Sequence, residues 1–407
     1  MKHVVIGSGA AGITAVKTIR SLKPNDEILL ISEDKQVISR CMLHKYINGK
    51  RTADALSFVP EDFFEVNQIQ WRSGVTVTSV DTSAMTVKCG EEVINYDKLL
   101  IAAGSTSMIP PIGALQTAKN VFCLRNFYDA ENIRASAMQA GRIVVIGAGL
   151  VGLDAAYALL EMKKEVTVIE MAQRILSLNL DTRAAAAYQT RFESAGCKFQ
   201  LKATVTNTIT DNTGNVTHVI LENGTKLPCD FLVVATGVRP KADFLKDSGI
   251  TYDKAIIVNE HMATNCPNVY AAGDITGLSS NWPNAMRQGE VAARNMCGDL
   301  KVYEDTFSAK NTINFFGLVT LSLGKLRPCE GDVVKRCEDR RVYQKYIMHE
   351  GRVVGVILQG DISYSGFWQY LVKNGIRSET LNKPAWNVSF ADFCAFDEKG
   401  EYRWAVS

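Results

Sequence analysis

The stretch His3-Val4-Val5-Ile6-Gly7-Ser8-Gly9-Ala10-Ala11-Gly12, continuing to Ile28-Leu29-Leu30-Ile31-Ser32-Glu33, decides the fold. Its apolar run predicts a buried parallel strand, the glycines turn the chain into a helix, and a second apolar strand ends in an acid. Gly7 allows the tight turn, Gly9 lets backbone approach a pyrophosphate, and Gly12 lets helix pack on strand. The helix N-terminus offers free N–H groups and the positive end of a dipole to phosphate. Glu33, about 20 residues past the last glycine, is placed to accept from a ribose 2′-hydroxyl.

The motif recurs. Arg142-Ile143-Val144-Val145-Ile146-Gly147-Ala148-Gly149-Leu150-Val151-Gly152 repeats it, and Val166-Thr167-Val168-Ile169-Glu170 supplies the second strand with its terminal acid. Glu170 would repel a 2′-phosphate and accept from a 2′-hydroxyl, so NADH is expected over NADPH. Two complete βαβ units predict two bound dinucleotides. Each unit continues into an alternating meander and closes on an apolar strand with a glycine, Leu99 to Gly104 in one and Phe231 to Gly237 in the other. That symmetry reads as an internal duplication.

The expected fold class is therefore α/β, with two Rossmann-like dinucleotide-binding domains followed by a C-terminal α+β domain. The expected boundaries are 1–111 with 240–309, 112–239, and 310–407. One strand is expected over 199–209 and another over 215–221, with a turn at Asp211 to Asn215. A helix is expected from Asn284 to Cys297, and an amphipathic one from Ser365 to Asn374. The tail from Lys383, with Trp386, Phe390, Phe393, Phe396 and Trp404, is too aromatic to be free and is expected to pack on its own or a neighbouring subunit.

Composition narrows the function. With 407 residues, 46% apolar and 22% charged, and a net charge of +2, the chain has none of the basic excess of a nucleic-acid binder. The longest apolar run, Ile143 to Leu160, contains the second glycine motif and Asp154, so it reads as strand plus helix and no membrane span is expected. Met1-Lys2-His3 leads straight into a strand with no signal region, which points to the cytoplasm. Ten cysteines show no C-x-x-C spacing, so neither a metal site nor a cysteine-ligated cluster is expected.

With both fingerprints and the strand Asn268-Val269-Tyr270-Ala271-Ala272-Gly273-Asp274 in view, the chain resembles the FAD/NAD(P)-dependent pyridine nucleotide-disulfide oxidoreductases. That resemblance implies FAD in the first unit, NADH in the second, and hydride transfer from nicotinamide to flavin. It assigns Gly7, Gly9, Ala10, Ala11, Gly12, Glu33, Arg40, Val77, Ala103, Gly104, Arg125, Gly147, Gly149, Gly152, Glu170, Gly237, Gly273 and Asp274 to cofactor binding. Asp274 is implied at the flavin's ribityl chain, and Trp282-Pro283-Asn284-Ala285 resembles a segment that approaches the flavin ring.

Two branches of the family meet in Arg40-Cys41-Met42-Leu43-His44-Lys45. The rubredoxin and ferredoxin reductases and the N-terminal part of nitrite reductase large subunits carry a pattern that Arg40, Leu43 and Lys45 match. There the lysine pairs with an acid on the second unit's helix, which here is Asp154. The peroxidases, oxidases and coenzyme A disulfide reductases carry a single cysteine with glycine eight residues on, as Cys41 to Gly49 does. In that reading Arg40 or Lys45 lowers the Cys41 pKa and the thiolate is a redox centre. The implied acceptors are accordingly a small redox protein, docked by basic residues such as Lys325, Arg327, Lys335, Arg336 and Lys345, or a small disulfide, peroxide or oxygen. A third possibility is a redox-switched binding module, and a homodimer is compatible with the C-terminal domain. Lys45, Cys41 and Asp154 are the catalytic candidates.

Overall fold

A computed structural model describes residues 1–278, 281–304, 310–339, 341–377 and 387–404. In it the strand Lys2–Ile6 lies at the centre of a five-stranded parallel sheet, flanked by Glu27–Ser32 and Lys98–Ile101. Gln70–Ser73 and Val269–Ala271 close the two edges. Both faces are covered, which is why Val4, Val5, Leu29, Leu30, Leu99 and Leu100 form continuous apolar runs rather than alternating ones. The second sheet is built alike: Arg142–Ile146 lies between Glu165–Glu170 and Phe231–Val234, with Lys198–Leu201 and Val121–Phe122 outside. Four strands of each sheet run in the same order, but the fifth does not: Val269–Ala271 follows the closing strand in the chain, whereas Val121–Phe122 precedes the second glycine-loop strand. The duplication of topology thus covers four strands of each sheet.

On the first sheet, helix Ala10–Leu22 buries Ala11, Ala15, Val16 and Ile19. It packs on helix Trp282–Met296, which begins at the Asn281 cap with Pro283 in its first turn. The two backbones meet closely: a Cβ on Gly289 would lie 2.2 Å from the Ala11 carbonyl oxygen. The strand expected over 199–209 is two strands. Lys202 takes a φ of 53°, turning the chain so that Lys198–Leu201 stays in the parallel sheet while Val205–Thr210 joins an antiparallel meander with Val216–Leu221 and Lys226–Pro228. The alternating pattern continues through the turn, so it gave no sign of the break. A matching meander, Ser79–Asp81, Thr86–Cys89 and Glu92–Asn95, belongs to the first unit. The chain leaves the first unit through Ser105–Ser107 and returns through Val238–Pro240, and these two segments pair antiparallel.

The C-terminal part is a five-stranded antiparallel sheet of Lys310–Phe315, Leu318–Gly324, Arg352–Gln359, Tyr343–His349 and Val333–Glu338, in that spatial order. Helix Ser365–Asn374 covers it with Phe367, Trp368 and Leu371, and Trp368 stacks on Tyr346 at 5.4 Å. Phe393 is fully buried, and Phe390 contacts the Phe367 ring at 4.6 Å, so this part of the tail packs on its own helix. Phe396 is exposed, and Trp386 lies outside the described residues. The sheet docks on helix Thr182–Ser194 of the second unit. The Tyr188 hydroxyl reaches the carbonyls of Ile313 and Leu318 at 3.0 and 2.8 Å, Gln359 Nε2 donates to the Ala184 carbonyl at 3.0 Å, and Asp181 accepts from Tyr343 and Lys345.

Candidate active site

Both glycine loops are shaped by close backbone approach. Gly7 has a φ of 106° and Gly147 one of 105°; a Cβ on either would strike the carbonyl of the neighbouring strand, Ala102 at 2.2 Å and Ala235 at 2.4 Å. Gly12 and Gly152 are as tightly held, with a Cβ falling 1.8 and 1.9 Å from the carbonyls of Gly7 and Gly147. Gly9 and Gly149 differ: a Cβ there would meet nothing within 4 Å. Space kept open in front of a helix N-terminus suits a pyrophosphate, which needs backbone N–H groups uncovered by side chains. The second loop is further braced by Glu170, whose carboxylate accepts from Ala148 N at 2.7 Å and Ala172 N at 2.8 Å.

In front of the first loop opens a cleft of about 1060 Å³. Gly7, Gly9, Ala10, Ala11, Val77, Ala103, Gly104 and Gly273 line it, with Glu33, Arg40, Cys41, Arg125, Asp274 and Trp282. Asp274 is clamped by Arg125 at 2.6 Å and by the Ser105 hydroxyl at 3.0 Å, all on one carboxylate oxygen. Arg125 also donates to the Ser105 carbonyl at 3.2 Å, so the clamp is set by the chain segment that leaves the first unit. Gly273, with a φ of 83°, has its N–H held by the buried Gln288 at 2.8 Å. Glu33 is ion-paired with Lys241 and Arg40 with Asp34, so both expected cofactor ligands are pre-ordered by opposite charges at the cleft wall. Trp282 meets Phe58 edge to face at 4.7 Å.

Across the seam between the units, helix Leu150–Glu161 presents Asp154, Tyr157 and Glu161 to the segment Arg40–Lys50. Here two expectations are corrected. The Lys45–Asp154 pair does not form: His44 Nδ1 is the group beside Asp154, at 3.5 Å from Oδ1, and the Lys45 ammonium lies over the Tyr157 ring, 5.1 Å from its centre. Aspartate is one methylene shorter than glutamate, and His44 and the aromatic ring occupy the intervening ground. Nor is the Cys41 thiol activated. Burial, and next the Asp154 charge, push its pKa up, with Arg125 opposing, and Arg40 is engaged with Asp34. Cys41 is nevertheless accessible from the cleft.

The seam has unusual titration. Burial pushes Asp154 up to about 7 against the pull of the Lys45 charge, while burial and then Lys45 push His44 down to about 4. Near neutral pH the pair is therefore a neutral imidazole beside a carboxyl that titrates. Two helical turns on, Glu161 is held low despite its burial by hydrogen bonds from Lys50, Tyr157 and Asn48. Tyr157, Glu161, Lys50, Asn48, Lys241 and Ser105 were not among the sequence candidates. The spacing of Asp154, Tyr157 and Glu161 on one helix face was a visible signal for the first two; the Lys241 partnership spans 208 residues and was not.

Two open glycine loops, each at the head of a parallel sheet and facing a shared seam, define a two-dinucleotide oxidoreductase. Residues 1–289 match the pyridine nucleotide-disulphide oxidoreductase family and residues 310–376 the rubredoxin NAD+ reductase C-terminal domain. The chain belongs to the pyridine nucleotide-disulphide oxidoreductase family, as an enzyme that uses FAD and NADH. It is 31% identical over 371 residues to the epsilon subunit of the NADH-dependent phenylglyoxylate dehydrogenase of Aromatoleum evansii, covering 87% of each chain. To an NADH oxidase of Methanocaldococcus jannaschii it is 34% identical over 335 residues, 77% of this chain and 74% of that one. A putidaredoxin reductase solved in covalent complex with putidaredoxin shares the fold with a TM-score of 0.84 at 24% identity, covering 93% of this chain and 94% of that one. No helix among the described residues is long and apolar enough to cross a membrane.

Proposed function

We propose that the chain carries electrons from NADH to a small redox protein of the rubredoxin or ferredoxin type. The observation that carries this reading is the pair of open glycine loops, which leave room for two dinucleotides, with a cysteine beside the first whose thiol burial pushes up. The match of residues 310–376 to a rubredoxin reductase domain supports it. Residues 1–111 with 240–309 are read as the FAD domain, 112–239 as the NADH domain and 310–407 as an interface domain that also permits a homodimer. The ten cysteines are present as thiols, in keeping with a reducing cytoplasm.

The geometry supports the following roles. Gly9 and the helix N-terminus behind it would hold the FAD pyrophosphate, Glu33 its ribose, and the Arg125–Asp274 clamp its ribityl hydroxyls. Gly149 would admit the NADH pyrophosphate, and Glu170 would disfavour a 2′-phosphate. When bound, FAD would supply the chemistry by which one hydride is accepted and its two electrons leave singly, with the proton released to solvent. Lys45 contributes positive charge at the seam, Tyr157 holds that ammonium by its ring face, and the His44–Asp154 pair keeps a titratable proton beside it.

The test is anaerobic reduction of the holoenzyme by NADH, followed in the visible, and then steady-state turnover with rubredoxin, ferredoxin, peroxide and small disulfides. Full bleaching by one equivalent of NADH and turnover with a redox protein meet the proposal. A second reading, NADH-dependent reduction of a small acceptor through Cys41, is favoured by the accessibility of that thiol from the cleft and by likeness to an NADH oxidase. Oxidised flavin persisting after the first equivalent, with a long-wavelength thiolate band, would establish that reading instead.

A further inference from the structure

A second cleft, of about 1370 Å³, lies at the seam between helix Thr182–Ser194 and the C-terminal sheet, and shares no lining residue with the FAD cleft. Two carboxylates line it, and both are matched: Asp181 by Lys345 at 3.1 Å and Glu338 by Arg183 at 2.8 Å. Three further cations line it, Arg174, Arg327 and Arg336, and no carboxylate among the described residues lies within ion-pair distance of them. Arg174 and Arg327 both donate to one oxygen, the Ser177 carbonyl, at 3.1 and 3.2 Å. Two guanidinium groups drawn onto one neutral acceptor repel each other unless an anion joins them. Arg174 also donates to the Leu180 carbonyl at 3.3 Å, so its guanidinium is held at the cleft wall by its own loop.

We infer that this cleft is an anion site that takes a phosphate group, held by Arg174, Arg327 and Arg336. A phosphate dianion offers enough oxygens and charge for three planar donor forks arriving from two parts of the chain; a lone carboxylate does not. Leu178, Leu326 and Pro328 at the same cleft leave an apolar wall for an organic body beyond the phosphate. The ligand would bridge the second dinucleotide unit and the C-terminal sheet, and so would stabilise their docking by mass action. This goes beyond electron transfer and does not depend on which acceptor is used.

The test is calorimetric titration of the holoenzyme at low ionic strength with inorganic phosphate, pyrophosphate and glucose 6-phosphate, on wild type and on Arg327→Gln and Arg336→Gln. The flavin content and circular dichroism spectrum of each variant serve as the control for folding. The site predicts saturable binding that weakens about tenfold or more with each guanidinium removed, and partial recovery in Arg327→Lys. Tighter binding of glucose 6-phosphate than of phosphate identifies a phosphate ester as the ligand class; equal binding identifies the free oxyanion, and both uphold the site. Absence of saturable binding, binding unchanged in both variants, or displacement of the anion by NADH would overturn it.

Discussion

His44 Nδ1 stands 3.5 Å from Asp154 Oδ1 across the seam between the two dinucleotide units, in the place where a lysine–carboxylate pair is expected. The substitution of one partner for another turns a permanent ion pair into a pair that titrates.

The first prediction is a pH dependence. Asp154 titrates at about 7 in the folded protein against an ordinary 3.8, so its contribution to stability is complete below the ordinary value and is lost as pH rises through 7. His44, at about 4 against 6.5, contributes in the opposite sense: its share is present above 6.5 and is lost as pH falls through 4. Asp154→Asn should therefore raise the holoenzyme's Tm by about 2–6 °C near pH 8 and leave it nearly unchanged near pH 4. Equal shifts at both pH values in thermal unfolding would contradict the assignment.

The four inner glycines separate folding from binding. Gly12→Val and Gly152→Val drive side chains into the carbonyls of Gly7 and Gly147 and should give insoluble or strongly destabilised protein. Gly9→Val meets no protein atom at its Cβ, so it should fold and lose FAD; Gly149→Val should keep its flavin and show a KM for NADH raised about tenfold or more. Flavin absorbance of the purified variants and their NADH kinetics decide this.

Cys41 should be a slow nucleophile. With its pKa above the ordinary thiol value, peptide mapping after iodoacetamide treatment near neutral pH should find it alkylated more slowly than an unstructured cysteine, with the rate still rising beyond about pH 9. Cys41→Ser should retain turnover with a redox protein to within about twofold. A loss beyond tenfold would move Cys41 into the chemistry.

Nucleotide choice rests on Glu170. Because its carboxylate is pinned by the N–H groups of Ala148 and Ala172, it cannot swing away from a 2′-phosphate without releasing the loop. The kcat/KM for NADH should exceed that for NADPH by about a hundredfold, and Glu170→Ala should narrow the ratio.

Much of this was legible in the chain. The two fingerprints carry their own geometry, since glycine at Gly7, Gly12, Gly147 and Gly152 answers a contact that any side chain would break. The covered sheets announce themselves in unbroken apolar runs such as Leu99 to Ile101. What was hidden is what depends on reach. Lys45 and Asp154 have the right types at the right positions, yet one missing methylene and an intervening Tyr157 redirect both. Lys202 was hidden because a single residue with positive φ leaves no mark on an alternating pattern. Cys41 sits among basic neighbours in sequence, but Arg40 turns to Asp34 and Asp154 arrives from another unit.

The antiparallel contact of Ser105–Ser107 with Val238–Pro240 has an architectural consequence. The polypeptide enters and leaves the second unit through adjacent segments that are hydrogen-bonded together, while Ile38, Leu43, Ile47 and Leu56 of the first unit are buried in the same core as Leu153 and Tyr157 of the second. The same adjacency lets such a unit be spliced into a pre-existing fold, or lifted out of it, at a single point in space, a simple physical route by which one ancestral nucleotide-binding unit could come to hold a copy of itself.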